Sequence, residues 1–137
     1  MSSTARRGNM ETVFDWVDAR RRADVDTLTS RLAPDVQHVG IRPGMLCRNR
    51  DEVVSLVRRG GPITAHVDAF ELLAAGEKVV LSVRGPGIGV PAVDESDVPR
   101  GQATIVFTVR DGLIVHMQDY MHRQDALDAV GAATSWE

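Results

Sequence analysis

"ATIVFTVRDGLIVHMQDYMH", residues 103–122, is the stretch on which the fold reading turns. Two β-rich runs flank Arg110-Asp111-Gly112, and Asp-Gly between such runs is a strong hairpin signal. Side chains alternate across a strand. Val115, Met117 and Asp119 are therefore expected on one face, and Ile114, His116, Gln118 and Tyr120 on the other. "RQDALDAVG" (123–131) follows as a short closing helix, with Gly131 at its end.

Upstream, the pattern is helical first. Met10, Val13, Phe14 and Val17 in residues 9–23 recur at the spacing of an amphipathic helix, with Asn9 as the expected N-cap. A second short helix carries Val25, Leu28 and Leu32 on one face. Asp24 caps it, and Ala33-Pro34-Asp35 stops it. "VQHVGI" (36–41) reads as a strand and residues 42–49 as a loop. "RDEVVSLVRRG" (50–60) is a third helix, with Val53, Val54, Leu56 and Val57 apolar, halted by Gly60-Gly61-Pro62. Residues 63–76 and 77–90 read as two strands joined at Ala75-Gly76-Glu77. Residues 85–101, rich in Gly, Pro and Asp, form an extended loop, either a lid over a pocket or an arm toward a partner. Helices followed by a meander of strands mean an α+β fold with a mostly antiparallel, mixed sheet. A strongly curved sheet with the helices on one side makes a cone. Its mouth, between helix and sheet, is where small-molecule pockets occur.

Composition sets outer limits. A chain of 137 residues, 43% of them hydrophobic, is expected to be one domain spanning 1–137 with a core of about 9–131. The net charge of −3 and the brevity of the Arg20-Arg21-Arg22 run argue against a nucleic-acid partner. The lone cysteine, Cys47, rules out an internal disulfide, and no histidine spacing suits a metal, so neither metal nor cofactor is expected. "GPGIG" (85–89) lacks the lysine of a phosphate-binding loop, and no helix follows it. No apolar leader and no membrane-length run is visible, so the expected compartment is the cytoplasm, away from the membrane.

Three segments carry a likeness to a known family: "VQHVGIRPGMLCRNRDEVVSLVRR" (36–59), "KVVLSVRGP" (78–86) and "VFTVRDGLIVHMQDYMHRQDALDAVG" (106–131). Together they resemble the SnoaL-like branch of the NTF2-like superfamily, from about the first helix to Gly131. The resemblance implies an α+β cone, commonly dimeric through the sheet. Such proteins include polyketide cyclases, ketosteroid isomerases, limonene-type epoxide hydrolases, dehydratases and non-catalytic binders, and fold does not choose among them. The epoxide hydrolases carry Arg-x-Asp on a middle strand and Trp-Arg-Asp-Tyr-Phe on the last. Here the counterparts are Arg84-Gly85-Pro86 and Met117-Gln118-Asp119-Tyr120-Met121. Arg84 and Asp119 match, but Pro86 stands where the first carboxylate belongs and can neither activate water nor protonate an epoxide. In the ketosteroid isomerases the base sits on the first strand, which corresponds to His38. Their oxyanion tyrosine has no counterpart, since Tyr120 lies on the last strand.

The resemblance assigns the Asp119 face to the pocket. A carboxylate beside apolar groups is costly unless paired, and Arg84 is its expected partner. Asp119 is then either catalytic or half of a structural ion pair. His38 is either a proton acceptor suited to neutral pH or a polar lining residue. Val36, Arg42, Met117 and Trp16 are the expected ligand contacts, Arg42 reaching toward an anionic group or resting on the surface. Cys47 precedes a helix N-terminus, which could lower its thiol pKa, or it simply fills space. His116 and Gln118 are expected on the dimer face, His66 on either face, and His122 as a capping or solvent group. The implied activity is cofactor-independent acid–base chemistry (isomerase, cyclase, dehydratase or hydrolase) on a small apolar organic substrate. The competing class is a non-catalytic ligand-binding or regulatory protein, and either is expected to be a homodimer through the sheet.

Overall fold

A computed structural model describes residues 8–41, 44–88 and 101–132. The order is α1 (Asn9–Arg22), α2 (Val25–Ser30), β1 (Leu32–Val39), β2 (Leu46–Cys47), α3 (Arg50–Gly60), β3 (Ala69–Ala75), β4 (Lys78–Arg84), β5 (Gln102–Arg110), β6 (Leu113–Tyr120) and α4 (Arg123–Val130). The strands form one six-stranded sheet, β2-β1-β6-β5-β4-β3. β1 and β6 run parallel, and every other pair is antiparallel. This is the expected α+β architecture with N-terminal helices on a mixed sheet.

Local chemistry sets the element ends. Asp24 caps α2 as expected, its carboxylate accepting the Thr27 N–H at 3.3 Å. Asn49 Oδ1 accepts the Glu52 N–H at 3.0 Å, while Glu52 Oε1 accepts the Arg48 N–H at 2.7 Å. This exchange satisfies donors that the start of α3 would leave orphaned. Asn49→Ala should cost about 1 kcal/mol. The check is a lower urea midpoint with an unchanged denaturant slope. The expectation for Asn9 needs correcting: Gly8 is the cap of α1, and Asn9 is the first helical residue. The Asn9 amide reaches across to the Gly76 carbonyl instead. Strand limits also differ. β1 starts at Leu32, not residue 36. Its pairing with β6 shifts between Leu32 and Gln37, around Pro34, which has no N–H to give. β3 starts at Ala69, not residue 63. At the hairpin turn Asp111 has φ 53° and Gly112 φ 78°. A two-residue connection between strands requires such a left-handed pair.

Register arranges the face that α1, α2 and α3 cover. One cross-sheet row runs Cys47, His38, Met117, Phe107, Val79, Ala74, and the next runs Asp119, Ile105, Leu81, Leu72. Val13, Trp16 and Ala19 from α1, Leu28 from α2, and Val53 and Val57 from α3 pack onto these rows. Trp16 meets Phe107 edge-on at 5.5 Å. Phe14, expected on the buried face of α1, is 50% exposed and meets Phe70 edge-on at 6.3 Å at the rim.

Two further corrections concern the sheet. Helices do not all lie on one side, because α4 packs on the opposite, outer face. That face carries Val80 and Val106, which Ala126 and Leu127 cover. Arg123 anchors α4 there, donating from Nε to Ser82 Oγ at 3.1 Å and from Nη2 to Glu71 at 2.6 Å. Second, the simple alternation of β6 fails near its start. Thr108 pairs with His116 but Val109 pairs with Ile114, so Val115 is an extra, bulged residue. Ile114 therefore joins Met117 in the inner core.

Candidate functional site

The parallel pairing of β1 with β6 sets His38 beside Met117, and Asp119 follows two residues on, facing the same way. The consequence is a direct contact: His38 Nε2 lies 2.8 Å from Asp119 Oδ1. Their side chains are 18% and 16% exposed. Among the described residues neither side chain has another polar partner, so the imidazole Nδ1 is not engaged. With Nε2–H donating to the carboxylate, Nδ1 carries the free lone pair. Val36, two residues before His38 on β1, and Met117, the partner of His38 on β6, are fully buried. Ile105 and Leu81 share Asp119's row, and Cys47 faces His38 across the β1–β2 pair. In so apolar a setting a charge-assisted hydrogen bond is strengthened, since water competes weakly for it.

Cys47 feels the same pair. Burial pushes its thiol up, and the carboxylates of Glu52 and Asp119 add to this while Arg59 opposes it. The helix N-terminus does not win, and the lowered thiol pKa considered from the sequence is corrected: the sulfur is held as a thiol. An open cleft of about 530 Å³ between β2 and α3 reaches Cys47, Glu52 and Arg59.

Arg84 does not join the site. Val79, Leu81 and Val83 of β4 face inward, so Val80, Ser82 and Arg84 face outward with Val106 and α4. The expected Arg84–Asp119 pair does not form; His38 takes that place. Arg84 instead lines a cleft of about 480 Å³ with Asp68, Gly85, Pro86 and Gly101. At Gly85 an added Cβ would run into the His66 carbonyl oxygen, so that glycine serves a close backbone pass. Arg42 lies outside the described residues, as do 89–100 of the loop.

The other histidines are peripheral. His66 pairs with Asp68 on the surface at 2.9 Å. His122 is the N-cap residue of α4 without a side-chain cap bond. His116, on the outer face, is held below the ordinary imidazole value by burial, then by the Lys78 ammonium and by His38. The unfolded chain therefore takes up this proton first as pH falls through about 6.5. Stability should decline below that pH and level off below the lowered folded value. His116→Gln should flatten this acid-side slope between about pH 5 and 7, read as urea midpoints. Among the described residues no group of three or more His, Cys, Asp or Glu is placed to hold a metal. No helix among them is long and apolar enough to cross a membrane.

Two features escaped sequence reasoning. One is the Arg123–Glu71–Ser82 anchor, whose parts come from three elements. The other is that Val17, Val54, Leu72, Val83 and Ile105 are only partly buried where they pack against the core.

Comparison with known proteins agrees with the fold. An LEH-like epoxide hydrolase from M. tuberculosis is 18% identical, with 89% of this chain and 88% of that one covered at a TM-score of 0.63. A candidate polyketide cyclase from Xanthomonas campestris pv. campestris is 23% identical over 89% and 96%, with a TM-score of 0.60. A protein with a ketosteroid isomerase-like fold from Catenulispora acidiphila DSM 44928, in complex with trimethylamine, is 19% identical over 93% and 97%, with a TM-score of 0.56. At these identities the likeness shows the NTF2-like fold alone. No curated protein matches the sequence. The SnoaL-like domain family matches residues 13–117, most of the chain, and the protein belongs to that family.

Proposed function

We propose that the inner face binds a small, mostly apolar organic molecule and that His38 moves a proton on it without a cofactor. The observation that carries this is the 2.8 Å contact of His38 Nε2 with Asp119, in a largely buried apolar setting, with Nδ1 unengaged among the described residues. Asp119 fixes the tautomer and stabilises the imidazolium formed when Nδ1 takes a proton from carbon or water. The same nitrogen returns the proton to the product, so the ring ends as it began. This chemistry serves isomerisation, cyclisation, dehydration or hydrolysis. Arg84, on the opposite face, has no part in it.

A second reading, a binder without turnover, is favoured by Pro86 standing where the related hydrolases carry a carboxylate. The trimethylamine held by the Catenulispora protein supports small-ligand binding under either reading. One experiment separates them. The protein is incubated in D2O with a panel of enolisable apolar ketones, 2-tetralone among them, and loss of α-hydrogen signal is followed by NMR. The acid–base reading requires exchange well above buffer for at least one ketone. Binding of several ketones with exchange of none leaves the binder. We also infer a homodimer through the part of the outer face that α4 leaves open, around His116 and Gln118. Light scattering should give twice the monomer mass, and Gln118→Arg should halve it.

A further inference from the structure

The cleft of about 530 Å³ between β2 and α3 is open to solvent and has room for a small molecule. Asp51, Ser55 and Arg59 line it from α3 at four-residue steps, so they share one face of that helix. This face points away from Val53 and Val57, which α3 buries in the core. Leu46 and Cys47 line the cleft from β2, and Leu46 is 45% exposed. Not all the charges in the cleft cancel. Arg48 and Glu52 are committed to each other, by side chains 3.6 Å apart and by the Arg48 N–H, while Asn49 Oδ1 caps the helix. Asp51 and Arg59 are exposed, and neither side chain makes a hydrogen bond or ion pair among the described residues. Eight helical residues separate them, about 12 Å along the axis. The Arg59 guanidinium is close enough to oppose the rise of the Cys47 thiol, so its charge reaches into the cleft. The cleft thus offers an anion at one end, a cation at the other and the Ser55 hydroxyl between them.

We propose that this cleft binds a short zwitterion, with its carboxylate on Arg59 and its ammonium on Asp51. A guanidinium takes a carboxylate through two parallel N–H bonds, and an ammonium donates to a carboxylate as a compact charge. A molecule with one charge meets only half of the site. A dianion would set its second carboxylate against Asp51, and a dication its second ammonium against Arg59. An extended tripeptide with free termini spans about 10 Å, which suits the separation of the two side chains. Its middle peptide group then lies beside Ser55, and its side chains lie along Leu46 and Cys47. The site is separate from the His38–Asp119 pair and does not depend on the proton-transfer reading.

Trialanine, N-acetyl-trialanine and trialanine amide form the test set, since each capped peptide lacks one charge. Kd is read near neutral pH and at low salt from the backbone amide shifts of Cys47 and Ser55 by NMR. Trialanine should bind about fivefold more tightly than either capped form, the size expected of exposed ion pairs. Arg59→Gln should erase the preference over the amide and keep that over the acetyl form. Asp51→Asn should do the reverse. Both side chains are exposed, and the helix dipole favours each sign where it stands, so both variants should fold with a slightly lower thermal midpoint. Trialanine should also slow iodoacetamide labelling of Cys47, the only cysteine in the chain. Equal binding of the three peptides overturns the proposal, and so does a preference that both substitutions leave intact. Shifts confined to residues away from the cleft overturn it too, as does a lack of binding at millimolar peptide.

Discussion

His38→Gln is expected to slow deuterium exchange into a bound ketone by about 10²–10⁴-fold while leaving its Kd within a few-fold. Glutamine keeps a polar group against Asp119 but has no basic nitrogen at the Nδ1 position. The loss should therefore fall on the proton-transfer step and not on binding. Asp119→Asn should slow exchange by about 10²-fold or more, because an amide can donate to Nε2 as well as accept from it. The ring then loses its reason to keep the proton on Nε2, and the base nitrogen is lost to the wrong tautomer. Both replacements are close in size, so circular dichroism and the thermal midpoint should change little. Exchange that persists in His38→Gln would place the base on another residue. Loss of binding in both variants would make the pair a ligand contact without a chemical role.

Arg123→Met is expected to be the most destabilising of these substitutions, by about 2 kcal/mol. The Arg123 side chain is 10% exposed and that of Glu71 28%. The pair is thus only partly shielded from water, and its worth is discounted accordingly. Methionine replaces the apolar stem but leaves Glu71 without this cation and the fully buried Ser82 hydroxyl without this donor. The thermal midpoint should fall by roughly 8 °C for a domain of this size. Glu71→Gln in the same protein should recover part of the loss, since an amide tolerates the missing cation better. A fall of under about 0.5 kcal/mol would mean that Ala126 and Leu127 dock α4 by burial alone.

Much of this architecture was legible because short-range chemistry agrees with the tertiary arrangement. Asp111-Gly112 allows one turn geometry, Asp24 caps the helix it precedes, and Gly60-Gly61 ends α3 where expected. His38 and Asp119 were each singled out, but their contact was not visible. It depends on the parallel register of β1 on β6, which joins residues 81 apart. Arg84 misled for the opposite reason. Its match to a family motif was one of residue type, while strand parity from Leu81 already turned it away from the inner face. The Arg123 anchor had no local sign, because an arginine at a helix start is unremarkable without the outer face of β3 and β4 in view.

The bulge at Val115 has a wider consequence. Between the Asp111-Gly112 turn and Asp119 it inserts half a pleat, and so sets the phase of everything downstream on β6. Point substitutions along this strand leave that phase intact. Removal of one residue from it would turn His116, Gln118 and Tyr120 toward the core and Asp119 toward α4, with the composition almost unchanged. Across a lineage this hairpin should accept changes of letter readily and changes of length hardly at all: its reading frame is part of the fold.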